Sequence, residues 1–353
     1  MGKIRVLVVD DSLMFRKLLV NSLNEDTEHE VVAEANDPFE ARDAIIKYKP
    51  DVMTLDIELP KMDGIEFLRK LMPQYPLRTV VISTLSDRVF DALKAGAVDF
   101  VAKPRIAGSE QMESFVKKEL PDKVKIAAKA RLKSSYIRRD IPVSENRPVI
   151  NADTGDMVIA IGASTGGTEA TEEVLKDFGP DLPGIVITQH MPAGFTAMYA
   201  NRLDQKYGNN IHVREAKNGD IVKPGLALLA PGGDCHMRLT KSNGEYRVVL
   251  KQGEKVNGHC PSVDVLFHSV AEAAGDHAVG IILTGMGGDG SKGLLAMRQA
   301  GARTIGQDES TSVIYGMPKV AYELGAVEFQ EKLQDIAKKT YVLVDRMQKK
   351  IDR

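Results

Sequence analysis

The sequence predicts an α/β protein of two domains, each built on a doubly wound parallel sheet. The chain has 353 residues, and at about 150 residues per domain this length fits two domains. Short apolar runs alternate with amphipathic segments from residue 4 to residue 104 and again from residue 157, a pattern typical of βα units. Hydrophobic residues make up 43% of the chain and charged residues 27%, which provides enough apolar material for two buried cores.

The first domain is predicted over residues 1–107 and contains five strands. These strands are the apolar runs at residues 4–9, 30–35, 52–55, 79–83 and 100–102. Helices are expected to begin near Ser12, Pro38, Gly64, Ser86 and Gly108. Five βα units in about a hundred residues match a flavodoxin-like domain, in which ligands bind at the carboxyl ends of the strands.

Residues 108–151 are predicted to form a helix that continues into an interdomain linker. This stretch has no strand pattern, is rich in Lys and Arg, and is strongly polar from Ser134 onward. Pro121 either starts a second helical piece or kinks a longer helix. A basic run of this kind is usually a solvated face, so we do not expect it to bind nucleic acid.

The second domain is predicted over residues 152–353. Its clearest strands are the apolar runs at residues 157–161, 184–188 and 278–284. Residues 211–251 contain short strand-like runs broken by Asn-Gly, Pro-Gly and Gly-Gly pairs, which predict a β-hairpin insertion. Residues 329–352 have the pattern of a closing amphipathic helix.

Charge and composition argue against several classes of function. Lys and Arg total 47 and Asp and Glu total 49, and the net charge of -2 provides no basic field for nucleic acid. No apolar stretch approaches the roughly 20 residues that span a bilayer, so membrane insertion is not expected. The cysteines Cys235 and Cys260 are too few for a disulfide framework, and the first residues lack an apolar signal segment, which favours the cytoplasm.

Three carboxylates are expected to meet at the edge of the first sheet. Asp10 and Asp11 follow the first predicted strand, and Asp56 follows the third. Clustered acids repel each other unless a cation neutralises them, and carboxylate oxygens suit Mg²⁺. Ser83 and Lys103 end the fourth and fifth strands, so a hydroxyl and an ammonium could hold a phosphoryl group at the same edge. A single strand-end Asp is more often a helix cap, but five matching positions favour a site.

These residues resemble the signature of a response-regulator receiver domain. The similarity includes the segment Leu59-Pro60-Lys61-Met62-Asp63-Gly64 after Asp56, and Pro104 after Lys103. The resemblance implies that Asp56 accepts a phosphoryl group from a histidine kinase, that Asp10 and Asp11 help to bind Mg²⁺, and that Lys103 contacts the phosphate. Phe100 matches an aromatic position that moves with Ser83 in switching, although an ordinary core aromatic is an equally good interpretation.

The second domain contains a candidate nucleophile in a glycine-rich turn. Residues 162–167 read Gly-Ala-Ser-Thr-Gly-Gly after a strand and before a helix, which is the G-x-S-x-G spacing that exposes a serine on a tight turn. The motif alone is weak, because such turns more often bind phosphate or only reverse the chain. The motif indicates a nucleophile only if suitable partners for Ser164 are present.

His190 and Asp289 are the candidate partners of Ser164. His190 directly ends the apolar run at residues 184–189, and Asp289 lies in a glycine-rich loop after the run at residues 278–284. If the three strands are neighbours, Ser164 can attack a carbonyl, His190 can transfer the proton, and Asp289 can orient the imidazole.

Other histidines and cysteines are weaker candidates. His268 lies in a helical pattern and is predicted to be a partly buried structural histidine. The pairs Cys235-His236 and His259-Cys260 lack the C-x-x-C spacing of zinc sites. No metal or other cofactor is therefore expected in this domain.

The motifs of both domains together resemble the chemotaxis protein-glutamate methylesterase family. The similarity is carried by residues 162–167, 188–192, 261–267 and 284–290. It assigns the catalytic serine, histidine and aspartate to Ser164, His190 and Asp289, and the oxyanion contact to the backbone N–H of Met286. Thr165 then lies beside the nucleophile. Members of this family often have basic residues around the His259 position, where this chain has Gly258 and Cys260. The sequence therefore leaves open which charge this edge of the substrate site carries.

This resemblance implies a phosphorylation-activated enzyme. The implied substrates are glutamate γ-methyl esters, and selected glutamines, on methyl-accepting chemoreceptors, and the implied phosphodonor is a chemotaxis histidine kinase. The alternative from another class is a receiver coupled to a DNA-binding transcription regulator, which would need a helix-turn-helix with a basic recognition helix. A phosphate-binding enzyme would need a P-loop lysine, which the turn at residues 162–167 lacks.

Overall fold

A computed structural model describes residues 2–84, 87–104, 110–132, 150 and 154–351. The chain divides into two compact units, Met1–Arg139 and Asp140–Arg353, and each unit is described by itself. Among the described helices, none combines the length and the apolar composition needed to cross a membrane.

The first unit contains a five-stranded parallel sheet with the strand order β2-β1-β3-β4-β5. The strands are β1 (Ile4–Val9), β2 (His29–Ala35), β3 (Val52–Asp56), β4 (Arg78–Ser83) and β5 (Asp99–Ala102). The first four helices are α1 (Leu13–Glu25), α2 (Pro38–Tyr48), α3 (Gly64–Leu71) and α4 (Arg88–Lys94). All five predicted strands are confirmed, because each has an apolar segment bounded by turn residues.

Side-chain caps explain where the first helices begin. The Ser12 hydroxyl accepts a hydrogen bond from the Phe15 N–H at 3.3 Å at the start of α1. Asp37 caps α2 and Asp63 caps α3 in the same way. The predicted starts near Ser12, Pro38 and Gly64 are confirmed, whereas the predicted starts at Ser86 and Gly108 lie outside the described residues.

The helix predicted at the start of the linker continues through Pro121. It consists of α5 (Glu110–Ser114), a π-helical turn (Phe115–Glu119) and α6 (Leu120–Ala128). The wide turn ends at Glu119, and Pro121 lies in the first turn of α6, where a missing N–H is tolerated. Lys123 forms a 2.7 Å ion pair with Asp99 of β5, so this helix packs within the first unit. Most of the polar stretch from Ser134 lies outside the described residues.

The second unit contains a seven-stranded sheet in which all pairings are parallel, with the order β14-β13-β12-β6-β7-β9-β8. Its strands are β6 (Val158–Ala163), β7 (Gly184–Gln189), β8 (His212–Glu215), β9 (Leu226–Leu229), β12 (Ala278–Ile282), β13 (Arg303–Gln307) and β14 (Phe329–Glu331). Its helices are α7 (Gly167–Leu175), α8 (Phe195–Tyr207), α9 (Val263–Ala274), α10 (Ser291–Gln299), α11 (Met317–Glu323) and α12 (Leu333–Ile351). β6 lies between β7 and β12, so their carboxyl ends share one edge.

The predicted hairpin insertion is shorter than expected. Only β10 (Cys235–Ser242) and β11 (Glu245–Gln252) form an antiparallel hairpin, closed by a two-residue Asn243-Gly244 turn. The prediction for the first part of residues 211–251 was wrong, because β8 and β9 pair in parallel with each other and β9 pairs with β7. These short runs become strands only through a distant partner, which local turn signals do not reveal.

The chain end also differs from the prediction. α12 begins at Leu333 rather than at Phe329. Residues 329–331 instead form the edge strand β14, which pairs with β13. A three-residue edge strand has almost no periodicity of its own, so its apolar character was indistinguishable from the start of an amphipathic helix.

Candidate active site

Ser164 lies directly after β6 and is 8% exposed. Its backbone N–H donates to the Thr284 carbonyl at 3.0 Å, and its carbonyl accepts from the Gly167 N–H at 2.7 Å. The Gln189 amide donates to the same carbonyl at 2.9 Å. These contacts fix the turn between β6 and α7 to the ends of both neighbouring strands.

Glycines leave the space that this turn requires. Gly166 has a φ of +75°, and a Cβ atom there would also lie 2.7 Å from Val313. A Cβ atom at Gly285 would lie 2.7 Å from the Cβ of Ser164. The loop after β12 therefore passes directly beside Ser164, and only glycine permits this close approach.

His190 and Asp289 form a direct contact. The Nε2 atom of His190 lies 2.8 Å from Oδ2 of Asp289, and their side chains are 7% and 1% exposed. His190 directly follows β7, and its backbone N–H donates to the Ala163 carbonyl at 3.1 Å. An ionised Asp289 accepts the hydrogen bond, so Nε2 carries the proton and Nδ1 is left as the basic nitrogen.

Several donors surround the Asp289 carboxylate. Its Oδ1 accepts from the Ser262 hydroxyl at 2.7 Å and from the Asn257 amide at 2.8 Å, and its Oδ2 accepts from the Val263 N–H at 2.7 Å. Burial opposes ionisation, but the hydrogen bonds from His190, Asn257 and Ser262 hold the pKa of Asp289 well below its usual range. Asp289 is therefore a carboxylate at neutral pH.

Ser164 lies opposite His190 without a hydrogen bond between their side chains. The β6–β7 register pairs Ala163 with Gln189, which places the next residue of each strand side by side. The buried Nδ1 atom of His190 has no hydrogen-bond partner among the described residues. The structure thus joins two of the three predicted catalytic residues directly, and it brings the third to the neighbouring position.

Thr165 lies within this turn, and Met286 lies in the loop that passes beside it. Met286 follows Gly285, the residue whose backbone passes beside Ser164, and is half-buried. In the described parts of the chain, no hydrogen bond uses the Met286 N–H. Thr165 is buried, and its carbonyl accepts from the Thr284 hydroxyl at 3.1 Å.

The sequence interpretation missed several residues that contact the candidate triad. The Gln189 amide bridges the carbonyls of Ser164 and His190, and the His259 ring stacks on the His190 ring with centroids 3.7 Å apart and planes at 11°. Asn257 and Ser262 contact Asp289. Gln189 and Ser262 lie within quoted motifs, but no local pattern assigned them these contacts.

The weaker candidates have other surroundings. Both ring nitrogens of His236 contact backbone groups, the Glu254 carbonyl at 2.8 Å and the Ser262 N–H at 3.1 Å. Cys235 and Cys260 are free thiols. His268 is exposed on α9, so its predicted partial burial was wrong: the side chain lies on the outer face of an amphipathic helix.

The acidic cluster of the first unit assembles as predicted at the carboxyl edge of its sheet. Ligand oxygens of Asp10, Asp11 and Asp56 lie within 4.8 Å of one another. Burial and the neighbouring Asp56 carboxylate raise the pKa of Asp10, despite the Lys103 ammonium beside it. A divalent cation fits this site, because hard oxygen ligands converge there and their charges are only partly compensated.

Lys103 joins the two buried carboxylates. Its ammonium lies 2.9 Å from Oδ2 of Asp10 and also contacts Asp56. Ser83 is buried at the end of β4, where its carbonyl accepts from the Lys103 N–H at 2.7 Å. Phe100 is buried with its ring edge-on to Phe90 of α4, at a centroid distance of 6.5 Å.

Comparisons with known proteins agree with both units. Residues 159–340 match the CheB methylesterase family, and residues 6–116 match the response regulator receiver domain. The chain is 58% identical over 346 residues to "protein-glutamate methylesterase/protein-glutamine glutaminase 2" of Syntrophomonas wolfei subsp. wolfei, covering 98% of this chain and 99% of the relative. A protein of Syntrophotalea carbinolica named "protein-glutamate methylesterase/protein-glutamine glutaminase" is 48% identical over 95% of this chain and 96% of its own.

A solved structure resembles the second unit. The crystal structure of the Thermotoga maritima CheB methylesterase catalytic domain is 36% identical, with a TM-score of 0.51, and the match covers 53% of this chain and 98% of that chain. The output unit is thus a methylesterase domain and not the DNA-binding module of the alternative hypothesis. The chain belongs to the CheB methylesterase family and carries a response regulator receiver domain before its methylesterase domain.

Proposed function

We propose that the chain hydrolyses glutamate γ-methyl esters, and deamidates selected glutamines, on methyl-accepting chemoreceptors. Its family and the names of its relatives support both hydrolase activities. The observation that carries the mechanism is the buried His190–Asp289 contact of 2.8 Å beside Ser164. Family, relatives and geometry all favour the same reaction class, acyl transfer to a serine.

In this mechanism the Ser164 hydroxyl attacks the ester or amide carbonyl while Nδ1 of His190 accepts the hydroxyl proton. Catalytic hydrogen bonds often form only with bound substrate, so we expect the hydrogen bond between Ser164 and His190 to form when the ester binds. The N–H of Met286 donates to the oxyanion. The imidazolium, stabilised by Asp289, returns the proton to the departing methanol or ammonia, and water then hydrolyses the acyl-enzyme to glutamate and Ser164.

We propose that the receiver domain controls this reaction through Asp56. The Asp56 carboxylate would attack the phosphorus of a phosphodonor, the chemotaxis histidine kinase in the cell. Asp10, Asp11 and Asp56 would hold Mg²⁺, which would neutralise phosphate charge, and Lys103 would contact the phosphate. Ser83 and Phe100 would then relay the change, and phosphorylation would raise hydrolase activity. We place the enzyme in the cytoplasm, where its thiols Cys235 and Cys260 stay reduced.

The test is methanol release from methylated chemoreceptors by the purified full-length chain. We expect release by the wild type and a loss of several orders of magnitude in Ser164→Ala. Ser242→Ala, at an exposed serine of the hairpin, is the control and should keep full activity. A folded Ser164→Ala chain with near-normal turnover would refute the nucleophile, and a wild type without methanol release would refute the substrate.

A further inference from the structure

We propose that Asn257 is a positioning residue for the hydrolytic reaction, acting through Asp289. Asn257 lies in the exposed turn Val256–His259, which is closed by two backbone hydrogen bonds of 3.0 Å between Val256 and His259. Its amide nevertheless reaches inward, to Oδ1 of Asp289 at 2.8 Å and to Oδ2 of Asp264 at 2.7 Å. This inference deepens the proposed function and rests on it.

The charges around Asn257 explain why an amide is needed there. Asp264 and Asp289 are 4% and 1% exposed, so two buried carboxylates face each other across one side chain. The Asn257 NH₂ group has two N–H donors and can give one to each. It satisfies both acceptors without adding a charge, and an unsatisfied buried acceptor is costly.

The contact also selects the orientation of Asp289. Oδ1 is held by Asn257, by the Ser262 hydroxyl and by the Asp264 N–H at 3.2 Å. Because these three donors hold Oδ1, the other carboxylate oxygen, Oδ2, stays directed at Nε2 of His190. Loss of the amide would leave Oδ1 with two of its three donors, the Ser262 hydroxyl and the Asp264 N–H, and would loosen the carboxylate. A small misplacement of a catalytic group can reduce turnover by about a hundredfold.

The same turn also contacts the face of the His190 ring. Its last residue, His259, stacks on the His190 ring with centroids 3.7 Å apart. The turn Val256–His259 therefore contacts both members of the His190–Asp289 pair, the carboxylate through Asn257 and the imidazole through His259. The stacking contact itself requires a flat ring, so His259→Phe should preserve this contact.

A matched control exists elsewhere in the chain. Asn243 and Gly244 of the β10–β11 hairpin have φ values of 52° and 83°, and Asn257 and Gly258 have 53° and 83°. Asn→Gly therefore has the same backbone consequence at both turns, because glycine adopts positive φ readily. Asn243 is exposed and lies outside the catalytic site, so only Asn257→Gly removes contacts to Asp289.

The experiment measures kcat and KM for methanol release in the full-length variants. We expect kcat to fall tenfold to about a hundredfold in Asn257→Gly with KM nearly unchanged, and no change in Asn243→Gly. The low-field proton resonance of the His190–Asp289 hydrogen bond should shift only in Asn257→Gly. His259→Ala should lower kcat, and His259→Phe should restore most of it.

The outcomes separate this inference from the function it rests on. If Asn257→Gly keeps kcat within twofold of the wild type while Ser164→Ala is inactive, Asn257 is not a positioning residue and the proposed function stands. If Asn257→Gly and Asn243→Gly lose activity equally, the effect comes from the backbone and the inference is wrong. An active Ser164→Ala chain would instead overturn the proposed mechanism, and with it the reaction that Asn257 is proposed to serve.

Discussion

His190 meets Asp289 through Nε2, at 2.8 Å from Oδ2, and this contact leaves the other ring nitrogen, Nδ1, free of the carboxylate. Because Nε2 donates to the carboxylate, Nδ1 is the nitrogen that can accept a proton. Nδ1 is buried and has no hydrogen-bond partner among the described residues, and Ser164 lies at the adjacent strand end. Ser164 thus stands at the end of the middle strand β6, with His190 at the end of β7 on one side and the loop after β12, which carries Asp289, on the other.

Asp289→Asn should reduce kcat by about three to four orders of magnitude. The amide can present N–H instead of oxygen to Nε2, so the imidazole is no longer held in the tautomer with a proton on Nε2. The negative charge that would stabilise the imidazolium is also lost. The measurement is methanol release, with circular dichroism to check the fold. Asp345→Asn, in the exposed Lys349 ion pair of α12, removes the same charge elsewhere and should leave kcat unchanged. Equal activity of the two variants would exclude a catalytic role for Asp289.

Gly285→Ala should slow the reaction by moving the loop beside the nucleophile. The added methyl group would lie 2.7 Å from the Cβ of Ser164 and 2.3 Å from the Met317 sulfur. Such contacts are too short, so the loop that carries Met286 must shift, and loss of one oxyanion donor costs about 10² to 10³ in kcat. Steady-state kinetics and a melting curve of the same sample test this. A variant with wild-type kcat would show that the site accommodates the methyl group without a shift of this loop.

Asp56→Asn should abolish the response to a small phosphodonor. The wild type should release methanol faster with phosphodonor and Mg²⁺ than without them, and chelation of Mg²⁺ should remove the increase. The variant should stay at the basal rate, because the carboxylate that would accept phosphate is gone. Asp43→Asn, at an exposed residue of α2, is the control and should still respond. Acid-labile phosphate on the Asp56→Asn chain would show that another residue accepts it.

The contribution of Tyr246 to the stability of the methylesterase domain should be lost in alkaline solution. Burial, with the nearby Asp156 and Asp276 carboxylates, raises the pKa of Tyr246 to about 12, against about 10 in an unfolded chain. Above pH 10 the unfolded state therefore releases the proton first. The stability that Tyr246 contributes is fully present below pH 10 and is lost as the pH rises toward 12.

Urea unfolding of wild type and Tyr246→Phe between pH 7 and pH 12 tests this dependence. At pH 7 the variant should be less stable by about 1 kcal/mol, because it lacks the 3.0 Å hydrogen bond to the Asp156 carbonyl. The difference should shrink above pH 10. A difference that stays constant to pH 12 would mean that Tyr246 does not titrate differently in the two states.

Local patterns were sufficient to predict most strands of the two parallel sheets and the sheet edges at which the candidate site residues lie. Strands such as Ile4–Val9 and Gly184–Gln189 are compact apolar runs, and burial on both faces of a parallel sheet requires this composition. The residue after such a run stands at the carboxyl edge, so Asp56, Ser164 and His190 could be placed there from the sequence. The same reasoning did not include β8, β9, β13 or β14 in the second sheet.

The sequence by itself determined which residues end the strands, because strand composition and turn residues are local properties. Only the tertiary structure decided which ends are neighbours and what supports them. Asn257 meets Asp289 across 32 positions, and His190 meets Asp289 across 99. Such contacts depend on strand order and loop path, which follow from the packing of the whole domain. A single polar residue in a turn has no periodicity that could reveal a distant partner.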